Sequence, residues 1–159
     1  MNNIRKYDYR RKLPHIQKDA SPVFVTFVTW KRWILPVAVR SLVLDCCVQQ
    51  HGRVCELHAV VVMPDHVHLI LSPRHTETGD LPSLPEIMRF IKGSSARKIN
   101  KHLQRSGRVW QEESFDHILR SNESLSEKVE YLLNNPVRSG LAATAPEYPW
   151  HWQGTIPVL

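Results

Sequence analysis

Alternating and helical periodicities divide this chain into four strands and three helices. Residues 23–30, Val-Phe-Val-Thr-Phe-Val-Thr-Trp, are β-branched or aromatic throughout, with Thr26 set against the apolar positions, and predict a central strand. Apolar residues at 39, 42, 43, 46 and 47 follow the stripe of an amphipathic helix that starts after Pro36 and runs to about Gln50, where His51-Gly52 stops it. Residues 55–62 return to a strand pattern. Met63-Pro64-Asp65 then makes a turn, and 66–71 run back as the hairpin partner. Beyond a polar loop over 72–82, Ser83 with Glu86 three residues on has the spacing of a capping box. Leu84, Ile87, Met88, Ile91, Ile99 and Leu103 keep the period of the helix that follows, although Gly93-Ser94-Ser95 weakens its middle. A short strand is expected over 115–119. Ser121 or Asn122 caps a third helix that ends at Leu133, ahead of Pro136.

The order β-α-β-β-α-β plus a helix predicts an α+β fold of the ferredoxin-like (RRM-like) kind: an antiparallel sheet with helices on one face and a further, C-terminal helix bearing Tyr131. The first and third strands are then central, which puts residues 66–71 mid-sheet. Residues 1–21 read as a basic arm, 22–145 as one domain, and 146–159 as an irregular tail with Trp150 and Trp152 among prolines.

A length of 159 residues suits one domain with a core of its own, and 42% hydrophobic content excludes bulk disorder. No apolar run approaches the roughly 20 residues that span a bilayer, and the N-terminus has no apolar signal core, so a cytoplasmic protein without membrane contact is expected. Cys46, Cys47 and Cys55 have neither disulfide-framework nor zinc-ribbon spacing and read as core residues. The net charge of +6 is unevenly spread. No acidic residue lies between Glu86 and Glu112, where Arg89, Lys92, Arg97, Lys98, Lys101, Arg105 and Arg108 all fall, and this reads as a phosphate-facing surface. Arg5, Lys6, Arg10, Arg11, Lys12 and Lys18, interleaved with Tyr7 and Tyr9, form a second basic cluster. A solvated face would account for either run as well.

His66-Val67-His68 places two imidazoles on one face of a strand, roughly 7 Å apart at the backbone, where they can converge on one metal ion. Alone, such a pair is more often a turn-capping His66 and a half-buried His68. On the third helix Leu125, Val129, Leu132 and Leu133 cluster on one face, and Tyr131 lies about 140° from its centre. Asn135 is one turn on, on the side of Tyr131. An off-stripe tyrosine is an ordinary surface residue or, beside a metal and a basic surface, a nucleophile.

Taken together, the motifs resemble a known family. Val62-Met63-Pro64-Asp65-His66-Val67-His68-Leu69 resembles the HUH motif (His, hydrophobic, His) of single-tyrosine transposases. Val109-Trp110-Gln111, Phe115-Asp116-His117-Ile118-Leu119-Arg120 and Tyr131-Leu132-Leu133-Asn134-Asn135-Pro136-Val137-Arg138-Ser139-Gly140-Leu141 are similar to the REP-associated tyrosine transposases in particular. The resemblance spans roughly residues 22–150. It implies a metal site at His66, His68 and Asn135, a nucleophile at Tyr131, and Arg120 and Arg138 among the DNA contacts. The implied reaction is magnesium- or manganese-dependent cleavage and rejoining of single-stranded DNA, at sites flanked by hairpins, through a 5′-phosphotyrosine. Monomer and homodimer both stay open. Two other readings compete: a non-catalytic or domesticated nucleic-acid-binding module of the same fold, and a metal-dependent hydrolase using water in place of Tyr131. Trp110 and the aromatics of arm and tail are candidates for stacking bases, and Trp30 and Trp110 equally for the core.

Overall fold

The computed structural model describes residues 20–120 and 124–155. The arm's basic cluster and the caps expected at Ser121 or Asn122 lie outside the described residues. Five strands, β1 (Val23–Thr29), β2 (Cys55–Val62), β3 (His66–Pro73), β4 (Trp110–Ile118) and β5 (His151–Gln153), form one antiparallel sheet in the order β4-β1-β3-β2-β5. As the pattern predicts, β1 and β3 are central; Val25 pairs with Leu69 and Thr26 with His68.

Strand alternation sorts side chains between two cores. Val25 and Phe27 of β1 and Val67, Leu69 and Leu71 of β3 pack beneath α1 (Val37–Val48) and α2 (Leu84–Leu103), against Val39, Val43, Ile87 and Ile91. Each such fully buried aliphatic side chain contributes about 1.5–3 kcal/mol. On the opposite face, α3 (Leu125–Leu133) sets Val129 and Leu132 against Ala59, Val61 and Ile70, with Tyr148 closing the cluster. The sheet thus carries two helices on one side and the tyrosine-bearing helix on the other.

Four details depart from the sequence pattern. First, β4 begins at Trp110, not near 115. Its first half, Trp-Gln-Glu-Glu-Ser, lacks alternation because β4 is an edge strand paired only to β1, with Glu112 and Glu113 in solvent. Second, α2 runs unbroken through Gly93-Ser94-Ser95, since the buried Ser95 hydroxyl donates to Ile91 O (2.7 Å) and accepts from Trp110 Nε1 (2.9 Å). Third, α3 is capped by Ser124, whose Oγ accepts from Glu127 N, and α4 (Asn135–Arg138) adds one turn beyond it, with Pro136 where a helix start tolerates it. Fourth, the tail expected to be irregular adds β5 to the edge of β2, pairing Ala59 with Gln153 and Val61 with His151. The capping box forms as the spacing predicts: Ser83 Oγ accepts from Glu86 N, and Glu86 Oε2 accepts from Ser83 N.

Candidate active site

Because β3 sends Val67, Leu69 and Leu71 to the helical layer, His66 and His68 face the side covered by α3. Their rings meet nearly edge to face, with centroids 4.7 Å apart. Each is anchored through Nδ1, His66 to Asp65 Oδ1 (2.7 Å) and His68 to Thr26 Oγ1 (2.7 Å), which leaves each Nε2 as the nitrogen free of these bonds. Orientation of one ring nitrogen by a carboxylate or hydroxyl, with the other presented outward, is how proteins prepare imidazole for a metal. Asp65 is itself fixed, its carbonyl accepting from Thr29 N (2.9 Å) and Thr29 Oγ1 (3.0 Å) and its other carboxylate oxygen lying 3.6 Å from Arg32 Nε. Burial, then the charges of His66 and Arg138, push the pKa of His68 down to about 3. It is therefore neutral near pH 7, the form that ligates.

Tyr131 projects from α3 away from the packed Val129 and Leu132 and is 58% exposed. Arg138 folds back over it, with Cζ 3.9 Å from the ring centroid and Nη2 donating to Tyr131 O (2.7 Å). The charge of Arg138 also helps to keep His68 neutral. Asn135 opens α4 and donates from Nδ2 to Leu132 O (3.1 Å), which turns its Oδ1 elsewhere. Among the described residues no group of three or more His, Cys, Asp or Glu could hold a metal ion. What this face offers a divalent cation is thus a pair of imidazole nitrogens, Nε2 of His66 and of His68, with further ligands to come from outside those residue types.

The basic residues divide. Arg89, Arg97, Lys98, Lys101, Arg108, Arg120 and Arg138 are exposed. Lys92 departs from the phosphate-facing expectation: its Nζ turns inward to Gln111 O (2.6 Å), Glu112 O (3.0 Å) and Ser114 Oγ (3.5 Å), tying α2 to β4, and burial lowers its pKa to about 8. Arg105 is partly engaged within the fold, donating to Asn100 Oδ1 (2.7 Å). Trp110 is a core residue, set edge-on to Phe27 at 4.8 Å. Asp65 and Thr26 escaped the sequence reading as site residues. Their signal was present: an acid directly before the first histidine, and the one polar residue midway along an apolar strand.

Sheet, imidazole pair and tyrosine helix together define a ferredoxin-like α+β domain with its polar chemistry gathered on one face. A family described as "Transposase IS200 like" matches residues 36–135, and the chain belongs to that family. A curated relative from Haemophilus influenzae, provisionally named a REP-associated tyrosine transposase, is 25% identical over 100 residues. That match covers 60% of this chain, and the chain spans 57% of the relative's length. A solved REP-associated tyrosine transposase bound to a REP hairpin shares the fold with a TM-score of 0.64, over 88% of this chain and 89% of that one, at 19% identity. Among the described residues no helix is long and apolar enough to cross a membrane.

Proposed function

We propose that this transposase cleaves and rejoins single-stranded DNA, using Tyr131 as nucleophile beside a divalent-metal site at His66, His68 and Asn135. The observation that carries the reading is the pair of imidazoles pinned at Nδ1 by Asp65 and Thr26, on the face that also bears the exposed Tyr131 under Arg138. Magnesium or manganese bound there would supply Lewis-acid polarisation of a phosphate oxygen. Asp65 and Thr26 hold the imidazoles in the orientation that ligation needs. Arg138 restrains the Tyr131 ring and adds positive charge where a phosphate would sit. Tyr131 Oη forms a bond to phosphorus as the bond to the 3′-oxygen breaks; the phenol proton is lost and the 3′-oxygen gains one. One ester replaces another, so a free 3′-hydroxyl can reverse the step and join a new end.

The exposed arginines and lysines of α2, with Arg120 and Arg138, supply the electrostatic attraction to the strand. The solved relative's hairpin makes hairpin-flanked DNA the first substrate to try. Incubation of the protein with labelled hairpins and manganese, beside Tyr131→Phe, tests the proposal. A labelled band at protein mass that the variant loses supports it. Salt-sensitive binding with no adduct on any hairpin returns the chain to the binding-module reading.

A further inference from the structure

From the end of β1 to the first residue of α1 the chain leaves three apolar side chains in solvent within one short segment: Trp30 (37% exposed), Ile34 (57%) and Val37 (60%). Lys31 and Arg32, in the same segment, both have left-handed backbone, with φ of 53° and 57°. Residues with a Cβ adopt that conformation at a cost and keep it where their surroundings enforce it. Here the enforcement is visible: Trp30 N donates to Val109 O (2.8 Å), Trp33 N to Trp30 O (3.1 Å) and Leu35 N to Pro64 O (2.7 Å).

Cations lie on both indoles of the segment. Arg108 Cζ is 4.9 Å and Lys31 Nζ 5.9 Å from the Trp30 ring, and Arg105 Cζ is 4.5 Å from the Trp33 ring. The segment also adjoins the imidazole pair through a single residue, since Asp65 takes Arg32 on one carboxylate oxygen and His66 on the other. A bare apolar patch would suit a protein partner. Indole rings with cations set over them suit a nucleotide instead, because every base has a π-face and every link a negative charge.

We propose that Trp30, backed by Arg108, stacks an unpaired base of a DNA strand passing beside His66, with Lys31 and Arg32 facing its phosphates. The inference rests on the DNA reading above and adds to it the place where the unpaired strand is gripped.

The test compares a 12-nucleotide oligothymidine with an abasic strand of the same length, each end-labelled, by fluorescence anisotropy at low salt. Trp30→Leu keeps an apolar side chain but no π-face, and Trp30→Phe keeps a smaller one. The expected result is that Trp30→Leu weakens oligothymidine binding roughly 5- to 150-fold, the worth of one stacked base, and leaves the abasic strand unchanged. Trp30→Phe recovers most of the loss, and Arg108→Ala weakens both strands. Equal affinity of Trp30→Leu and parent for oligothymidine overturns the stacking site while leaving DNA binding intact, as does an equal loss on both strands. No binding of either strand by the parent overturns this proposal and the DNA reading with it.

Discussion

Asp65 is the position where a small change reads out the candidate metal site most selectively. Its carboxylate is about one-quarter exposed and accepts from His66 Nδ1 at 2.7 Å, while its backbone carbonyl separately anchors Thr29. Replacement by Asn leaves shape and backbone bonds in place and exchanges a charged acceptor for a neutral one. A hydrogen bond to a charged group is worth about 1.5–3 kcal/mol net and a neutral one about 0.5–1.5, so the substitution removes about 1–1.5 kcal/mol of orientation at His66. That converts to roughly 5- to 13-fold weaker metal binding. Asp65→Ala removes the whole bond, for roughly 13- to 150-fold, which overlaps the roughly 10- to 100-fold effect of deleting a partner that orients a metal ligand. The Arg32 contact at 3.6 Å, on a largely exposed guanidinium, adds little. The assay is DNA–protein adduct formation titrated with manganese. The half-saturating concentration should rise in the order parent, Asn, Ala, with the plateau rate retained. Coincident titration curves, or a lost plateau with an unmoved midpoint, would refute the assignment of Asp65 to orienting a metal ligand.

Lys92 and His68 give two further tests. Lys92→Met should lower stability by about 1–3 kcal/mol, seen as a reduced urea midpoint, because Gln111 O and Glu112 O lose their donor. It should leave the salt dependence of single-strand binding unchanged, whereas Lys98→Gln should reduce that slope by about 0.7; a flattened slope for Lys92→Met contradicts its inward placement. The pKa of His68 in the fold, about 3, lies below the 6.5 of a free imidazole. The unfolded chain therefore takes up a proton that the folded one refuses, and stability fully present above pH 6.5 falls as the pH drops from there toward 3. Urea midpoints measured in chelator across that range should decline less steeply for His68→Gln, and an identical decline would contradict the assignment.

What was legible in the sequence was whatever local pattern decides. The stripe at 39, 42, 43, 46 and 47, the capping box at Ser83 and Glu86, and the alternation around His66 and His68 each depend on residues within a turn or two of one another. The order of those elements then restricts β1 to β4 to the arrangement found. Features set by distant partners were not legible. The polar start of β4 is a strand only because β1 lies alongside, and β5 only because the edge of β2 is open to it. Gly93-Ser94-Ser95 stays helical because Trp110, on another element, satisfies Ser95.

The site divides the same way. The histidine pair follows from a period of two, and the off-stripe position of Tyr131 from a period of 3.6. Charge counting could not separate Lys92, which faces the carbonyls of β4, from Arg89 and Lys98, which face water. Nor could composition tell a core Trp110 from an exposed Trp30, since both are aromatic residues at strand ends.

The most direct measurement of the central claim is the polarity of the covalent adduct. A hairpin-flanked single strand, labelled in turn at its 3′ and its 5′ end, is incubated with protein and manganese and resolved under denaturing conditions, with Tyr131→Phe alongside. Transfer of the 3′ label to protein mass, release of a shortened 5′-labelled strand, and loss of both with Tyr131→Phe are the predicted results. Transfer of the 5′ label, or cleavage that survives in Tyr131→Phe, would contradict a 5′-phosphotyrosine formed by Tyr131.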